Sequence, residues 1–194
     1  MKLARILIAG LIVFEFLNLF GVLHFTLNFS WLGLIITALG VFIVTETIYY
    51  LCKKHNSTQP IFLYYLITFV LFMDVLGDIK YFYATYSWYD QLAHFLCGAV
   101  AMTVILTIFL QFKQRYTFPL IAVIIICLSG VSLLGSLYEL EEYLEDTFHH
   151  QIQFRLGDGP DTANDIMLNL IGGTVVGGLY YIKQKSNTIK KQGS

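Results

Sequence analysis

The sequence is poor in charged residues and in prolines. Only 13% of its 194 residues are charged and 57% are hydrophobic, whereas about a quarter of a typical soluble domain is charged. Three prolines and 15 glycines are too few for a low-complexity linker protein. The net charge of −1 provides no basic surface, so we expect no nucleic-acid partner. These absences exclude a water-soluble domain, a disordered chain and a coiled coil, and they indicate a polytopic membrane protein.

Cysteine is also scarce. The three cysteines, Cys52, Cys97 and Cys127, are odd in number and lie in or beside apolar runs. Both facts argue against a disulfide framework, and a buried cysteine usually acts as a small apolar side chain. We therefore assign no role to any of the three.

The apolar residues form six runs of about 20 residues, which is the length that crosses ~30 Å of hydrocarbon as a helix. The predicted spans are 4–24, 31–52, 61–83, 91–112, 118–140 and 163–182, with a longer connection at 141–162. The first span resembles a signal peptide but lacks a small-residue cleavage site, so we expect it to be retained. We predict an all-α integral membrane bundle of six transmembrane helices, forming a single transmembrane domain over residues 1–194.

Lysine and arginine set the predicted orientation. Ten of the twelve lie on the side of the N-terminus and only Lys80 and Arg155 lie on the other side. Basic residues accumulate in cytoplasmic segments of membrane proteins. We therefore predict a multi-pass protein of the cell membrane with both termini in the cytoplasm.

Carboxylates accumulate at the predicted outer ends of four consecutive helices. They form sets spaced by three or four residues, so that each set shares one helix face. The sets are Asp74 with Asp78, Asp90 with His94, Glu139 with Glu142, and Asp161 with Asp165 and Asn169. Ionisable residues inside a membrane are costly and mark a functional site by default. The sequence predicts one shared polar site on the extracytoplasmic side.

So many carboxylates near one another require neutralisation by a bound metal, by protons or by water in an open cavity. Oxygen ligands with one imidazole suit a divalent ion such as Zn, Mn, Fe or Mg. The candidate metal ligands are Asp74, Asp78, Asp90, His94, Asp161 and Asp165. Glu139 and Glu142 are the candidate catalytic residues, as general bases toward water.

Several of these acids also have structural interpretations. Asp90 follows Ser87 by three residues, as in a capping box, and Asp161 could cap the last helix. His94 alone could be a structural histidine. Water could solvate the acids of the 141–162 connection, namely Glu141, Glu145 and Asp146. Glu15 and Glu46 are single buried acids, and for both we expect hydrogen bonds to a neighbouring helix.

Small residues recur in the last two predicted helices. Gly172, Gly173, Gly177 and Gly178 give small-xxx-small spacing in the sixth helix, and Gly130, Ser132, Gly135 and Ser136 do so in the fifth. Such spacing lets transmembrane helices approach closely. We expect these residues to serve packing, which would also bring the acidic helix ends together.

Three segments, residues 89–95, 138–143 and 161–172, resemble the VanZ-like and YjdF-like families of small polytopic membrane proteins. The likeness covers roughly residues 70–182. The sequence departs from the pattern of these families at Gln91, where a basic residue is common. It also lacks the tryptophan that often precedes the closing aspartate in YjdF-like proteins. The resemblance implies a multi-helix membrane fold with a shared polar set of Asp90, His94, Glu139, Glu142, Asp161 and Asp165.

Three functions fit the sequence. The first is a metal-dependent hydrolase or transferase whose substrate is a lipid or a lipid-linked molecule entering from the membrane. The second is a non-catalytic membrane protein that binds a ligand or serves in stress or antibiotic resistance. The third is a cation- or proton-coupled transporter, which is weakened by the lack of an internal repeat and by Glu46 being the only acid in the inner half of a span. The sequence leaves the oligomeric state open.

Overall fold

The computed structural model describes residues 1–58, 60–112, 118–151 and 155–192, and within these ranges all regular structure is helical. The helices are α1 (Lys2–Leu19), α2 (Trp31–Lys54), α3 (Ile61–Ile79), the short α4 (Phe82–Thr85), α5 (Ser87–Phe112), α6 (Leu120–Glu145) and α7 (Gly159–Gln192). A π-helical turn, Asp146–His150, continues α6.

Five of these helices, α2, α3, α5, α6 and α7, are long and apolar enough to cross a membrane. Helix α1 has 18 residues and includes the charged side chains of Lys2, Arg5 and Glu15. Large apolar side chains are exposed along all the long helices, as expected for surfaces that face lipid. An all-helical membrane protein is thereby confirmed. The count of six spans and the cytoplasmic location of both termini stay predictions.

The first and third helices end earlier than predicted. Helix α1 ends at Leu19 because Asn18 Oδ1 accepts a hydrogen bond from the Phe25 amide at 3.1 Å and Gly21 has φ +68°. Helix α3 ends at Ile79 because Tyr81 adopts a left-handed conformation with φ 58°, which an α-helix does not accommodate. The segment 80–86 therefore forms a turn and the separate helix α4.

The predicted connection 141–162 is mostly helical. Helix α6 continues to Glu145 and into the π-helical turn. Helix α7 begins at Gly159, and the Asp158 carboxylate accepts from the Asp161 amide at 3.0 Å. Asp158 is thus the N-terminal cap of α7, and the alternative that Asp161 caps this helix is wrong.

The long helices pack as two groups of three. Helices α1, α2 and α3 enclose an apolar core that includes Ile8, Leu34 and Leu71. Helices α5, α6 and α7 enclose a second core, including Met102 and Val131, against which Val176 of α7 packs. Contacts of α5 with α2 and α3, and of α2 with α6, join the two groups. Successive helices run in opposite directions, so the C-terminal ends of α3 and α6 lie beside the N-terminal ends of α5 and α7.

Helices α5 and α7 make the most extensive contact in the bundle. A Cβ atom at Gly98 of α5 would overlap the backbone of Asn169, and one at Gly172 of α7 would overlap the Phe95 carbonyl. The backbones can approach this closely because both residues lack a side chain. Gly172 confirms the predicted packing role, whereas Gly178 has no atom close enough to contact an added Cβ.

Candidate functional site

The bundle carries its acidic side chains at one end. The predicted sets on α3, α5, α6 and α7 all lie there, because these helices end or begin at that level. Most of the lysines lie at the opposite end, near the N-terminus of α1 and the C-terminal parts of α2 and α7. The polar end is where a functional site can be built.

A histidine and two carboxylates from α5 and α7 form the centre of the polar end. His94 Nε2 lies 3.5 Å from Asp90 Oδ1 and 3.8 Å from Asp165 Oδ2. One ligand atom from each residue lies within 4.8 Å of the other two. The side chains of His94 and Asp165 are 8% and 5% exposed, and that of Asp90 is 35% exposed. The cluster is therefore buried on the α7 side and open on the side of Asp90.

Asn169 orients the imidazole from behind. Its Nδ2 lies 3.1 Å from His94 Nδ1 and donates to the Asp165 carbonyl at 3.0 Å. Gly135 of α6 faces this amide, because a Cβ there would lie 3.2 Å from Asn169 Nδ2. With Nδ1 accepting from Asn169, the neutral ring carries its proton on Nε2 and directs it at the two carboxylates.

Glu139 lies beside this cluster without a hydrogen bond. The residue is 5% exposed, and neither carboxylate oxygen has a donor among the described residues. Its electrostatic neighbours include His94, Asp90 and Asp161. Thr162, which also lies near Glu139, donates its hydroxyl to the Leu156 carbonyl at 3.1 Å. A buried carboxylate without donors is costly, so this side chain is the strongest sign that the site takes a further proton or cation.

Arg155 is the part of the polar end that the sequence analysis missed. Its guanidinium pairs with three carboxylates of α6, namely Glu141 at 3.1 Å, Glu142 at 3.3 Å and Glu145. It also donates to the Tyr138 hydroxyl at 3.2 Å. The side chain is 7% exposed. One arginine, with a single positive charge, is therefore shared by three carboxylates, of which Glu142 is a predicted site residue.

Burial alone would lower the pKa of the Arg155 guanidinium, but Tyr138 and the three glutamates raise it above its ordinary value. The guanidinium thus stays charged. It also lies over the Phe29 ring, 5.2 Å from the centroid, and a Cβ at Gly33 would lie 2.8 Å from its Nη1. The start of α2 is therefore shaped to fit this ion-pair cluster.

The expectation that water solvates the acids of the 141–162 segment is wrong for Glu145 and Asp146. Both are buried, because α6 continues past them. The Asp146 carboxylate accepts from the Arg155 amide at 2.9 Å and from the Leu156 amide at 3.1 Å. Asp146 thereby fixes Arg155 and Leu156 against the end of α6.

The other predicted site residues lie around the central cluster but make other contacts. Asp74 accepts from the Tyr83 hydroxyl at 2.6 Å. Burial, and next the charge of Asp74, raise the pKa of the Tyr83 phenol well above its ordinary value, so it remains a donor. Asp78 Oδ1 accepts from the amides of Asn28 and Phe29 at 2.9 and 2.8 Å. It thereby holds the α1–α2 loop. Asp161 is exposed on the first turn of α7, and Glu142 faces Arg155.

The two single buried acids differ. Glu46 of α2 pairs with Arg5 of α1, whose Nη2 donates at 2.6 Å, so the expected bond to a neighbouring helix is confirmed. Glu15 is 0% exposed, and neither of its oxygens has a hydrogen-bond partner in the described ranges. The corresponding expectation for Glu15 is therefore wrong.

The signals for the missed residues differ in strength. Asn169 lies four residues after Asp165 and is part of the predicted stripe on α7. For Arg155, the only signal is that it is the one arginine in the predicted outer segments, next to an acid-rich helix end. Its contacts depend on how residues 146–158 fold, which periodicity does not predict.

A family model described as "Predicted membrane protein (DUF2238)" matches residues 3–186. No curated protein matches the chain. No solved structure matches it either. A family of membrane proteins is thereby confirmed, while the specific likeness to VanZ-like and YjdF-like proteins stays a prediction.

Proposed function

The chain belongs to the DUF2238 family of predicted membrane proteins, and we propose that this member is a divalent-metal-dependent hydrolase or transferase. Its substrate is a lipid or a lipid-linked molecule. The observation that carries the proposal is the Asp90–His94–Asp165 cluster, with the buried and unpartnered Glu139 beside it.

The spacing of the cluster suits a metal ion. Two ligands about 2.1 Å from a tetrahedral ion lie about 3.4 Å apart, and His94 Nε2 lies 3.5 and 3.8 Å from its two carboxylate neighbours. Ligation through Nε2 requires the tautomer with the proton on Nδ1, which then needs an acceptor. Asn169 can supply one by turning its Oδ1 toward the ring. Zinc, manganese, iron and magnesium are the candidates; the imidazole favours zinc and iron, and the carboxylates favour manganese and magnesium.

Glu139 is the residue best placed to act as general base. It lies close to His94 and makes no ion pair with Arg155 among the described residues, whereas Glu142 faces Arg155 at 3.3 Å. The bound ion would polarise a water molecule or a substrate carbonyl or phosphoryl group. Glu139 would take the proton from water, and Asp90, the most exposed residue of the cluster, would mark the side from which substrate arrives.

The position of the cluster favours an amphiphilic substrate. It lies within about two turns of the start of α5 at Ser87, near the exposed aromatic side chains of Tyr86 and Trp88. Tyrosine and tryptophan concentrate at membrane interfaces. A lipid head group lies at the same depth and can reach the cluster from within the bilayer.

The polar end is proposed to face away from the cytoplasm, in a cell-membrane protein with six spans. The lysines at the opposite end support this orientation. Helix α1 crosses as the sixth span because the Arg5–Glu46 pair offsets the charge of both residues, and about 18 residues are close to the length required.

Metal content tests the proposal. The purified protein, its His94→Ala and Asp165→Asn variants and a Glu46→Gln control are each dialysed against zinc and manganese and analysed for bound metal. We expect about one ion per chain in the wild type and the control and at least a tenfold loss of affinity in the two cluster variants. Equal, sub-stoichiometric metal in all four proteins would overturn the proposal.

A non-catalytic ligand-binding or resistance protein is the second candidate. The observation in its favour is that Arg155 engages three glutamates, which makes these three acids poor candidates for proton transfer. In proteoliposomes of mixed lipids, the metal-loaded wild type should convert a lipid to products detected by mass spectrometry, and Glu139→Gln should not. Metal binding without turnover in both would favour this second candidate.

A further inference from the structure

Cys97 combines an inward position with an exposed side chain. Asp90, His94 and Cys97 lie within about 60° of one another around the axis of α5, so Cys97 shares the face that carries the cluster. Its electrostatic neighbours are Asp74 of α3 and Asp90. Yet Cys97 is exposed, whereas Cys52 and Cys127 are buried. An exposed side chain on an inward face requires open space inside the bundle.

The walls of this space come from four elements. Asp74 of α3 and Tyr83 of α4 are joined by a hydrogen bond of 2.6 Å. Tyr138 of α6 packs edge-on against His94, with ring centroids 6.0 Å apart, and it also neighbours Cys97. Cys97 lies ten residues along α5 from Ser87, or about 15 Å deep. We call the space lined by Asp74, Tyr83, Cys97 and Tyr138 the inner chamber.

The chemistry of the inner chamber is that of a cation site with aromatic walls. Asp74 has a carboxylate whose hydrogen-bond partner is a neutral phenol. Arg155, a fixed cation whose charge acts on Asp74, is already paired with three glutamates. Its Nε has no hydrogen-bond partner among the described residues, but this atom is buried. A carboxylate beside tyrosine rings is the arrangement that recognises ammonium groups.

We propose that the inner chamber binds the ammonium group of an amine-bearing amphiphile. This inference deepens the proposed function, because it names the substrate class of the same site, and it rests on that function. The ammonium group lies against Asp74 and the rings of Tyr83 and Tyr138, and the bond to be cleaved or transferred lies toward His94. Anionic head groups are disfavoured, because acids outnumber cations around the chamber.

Thiol labelling of Cys97 tests the chamber directly. The single-thiol protein carries Cys52→Ala and Cys127→Ala. It is treated with two methanethiosulfonates of similar size, one with a trimethylammonium group and one with a sulfonate. The reference is the same background with Cys97→Ala and Ala84→Cys, because Ala84 is an exposed residue at the same end of the bundle.

We expect the cationic reagent to label Cys97 roughly tenfold faster than the anionic one, after correction by the ratio at Ala84→Cys. Asp74→Asn should reduce this preference by at least about threefold. Equal rates, or no reaction with either water-soluble reagent, would overturn the proposal. So would labelling by a lipid-soluble maleimide alone, which would mean that Cys97 faces lipid.

Protection of Cys97 from labelling tests which molecule supplies the ammonium group. Slower labelling in phosphatidylethanolamine than in phosphatidylglycerol vesicles supports a lipid head group, and slower labelling with soluble ethanolamine alone supports a free amine. Absence of protection by both overturns the proposal. His94→Ala should lose metal but keep the charge preference at Cys97, so the failure of the metal site and the failure of the chamber are distinguishable.

Discussion

Replacing Arg155 by methionine should destabilise the protein strongly. The guanidinium is 7% exposed and pairs with Glu141, Glu142 and Glu145, of which Glu145 has a side chain only 5% exposed. Methionine keeps the apolar volume but removes the guanidinium that these carboxylates contact. Breaking a buried ion pair by removing one partner costs about 3–5 kcal/mol. Glu141 is 23% exposed and can regain some hydration, so we expect about 3 kcal/mol.

The measurement is the free energy of unfolding of purified protein in mixed micelles titrated with sodium dodecyl sulfate, followed by tryptophan fluorescence. Lys80→Met is the matched control, because Lys80 is exposed, and it should change the free energy by less than about 0.5 kcal/mol. Combining Arg155→Met with Glu142→Gln should recover part of the loss, because it removes one of the acids that Arg155 no longer contacts. A loss as small as that of the control, or no recovery in the double variant, would refute the reasoning.

Three further predictions concern the neighbouring contacts. Gly98→Leu should lower the unfolding free energy by about 2–4 kcal/mol, because its side chain meets the Asn169 backbone; the same detergent titration measures this, and a neutral result contradicts it. Asn169→Asp should raise zinc affinity about tenfold, because a carboxylate accepts the Nδ1 proton of a metal-bound His94 better than an amide does; equilibrium dialysis detects it, and weaker binding would argue against ligation through Nε2. Asp78→Ala should cost roughly 1–3 kcal/mol by leaving two loop amides without their acceptor, with zinc affinity unchanged; a parallel loss of zinc would instead make Asp78 a ligand.

The central cluster is predictable because it depends on short-range geometry. Asp90 and His94 are four residues apart on α5, and Asp165 and Asn169 are four residues apart on α7. Spacing of four places each pair on one face, and successive transmembrane helices run in opposite directions. These two facts bring the pairs to one level of the bundle. The two pairs also need the close approach of α5 and α7 at Gly98 in order to meet. No sequence pattern pointed to Gly98.

The rest of the polar end depends on irregular segments. Asp78 binds backbone amides of the α1–α2 loop, about fifty residues earlier in the chain, and no periodic pattern connects the two. Arg155 contacts Glu141 and Glu145 where the Asp146 carboxylate binds the backbone amides of Arg155 and Leu156. In both cases the partner is set by the path of a loop, so a spacing rule identifies the acid but not what it binds.

The glycine pair at the α5–α7 crossing has a consequence for redesign. The contact between the two backbones sets the separation between the polar residues of α5 and those of α7, and the polar side chains themselves do not determine it. Replacing Asp90 or Asp165 by a residue with a different donor atom should therefore change the metal preference of the proposed site without changing the separation of α5 and α7. A methyl group added at Gly172 would instead push α5 and α7 apart and so increase the distances between Asp90, His94 and Asp165 together.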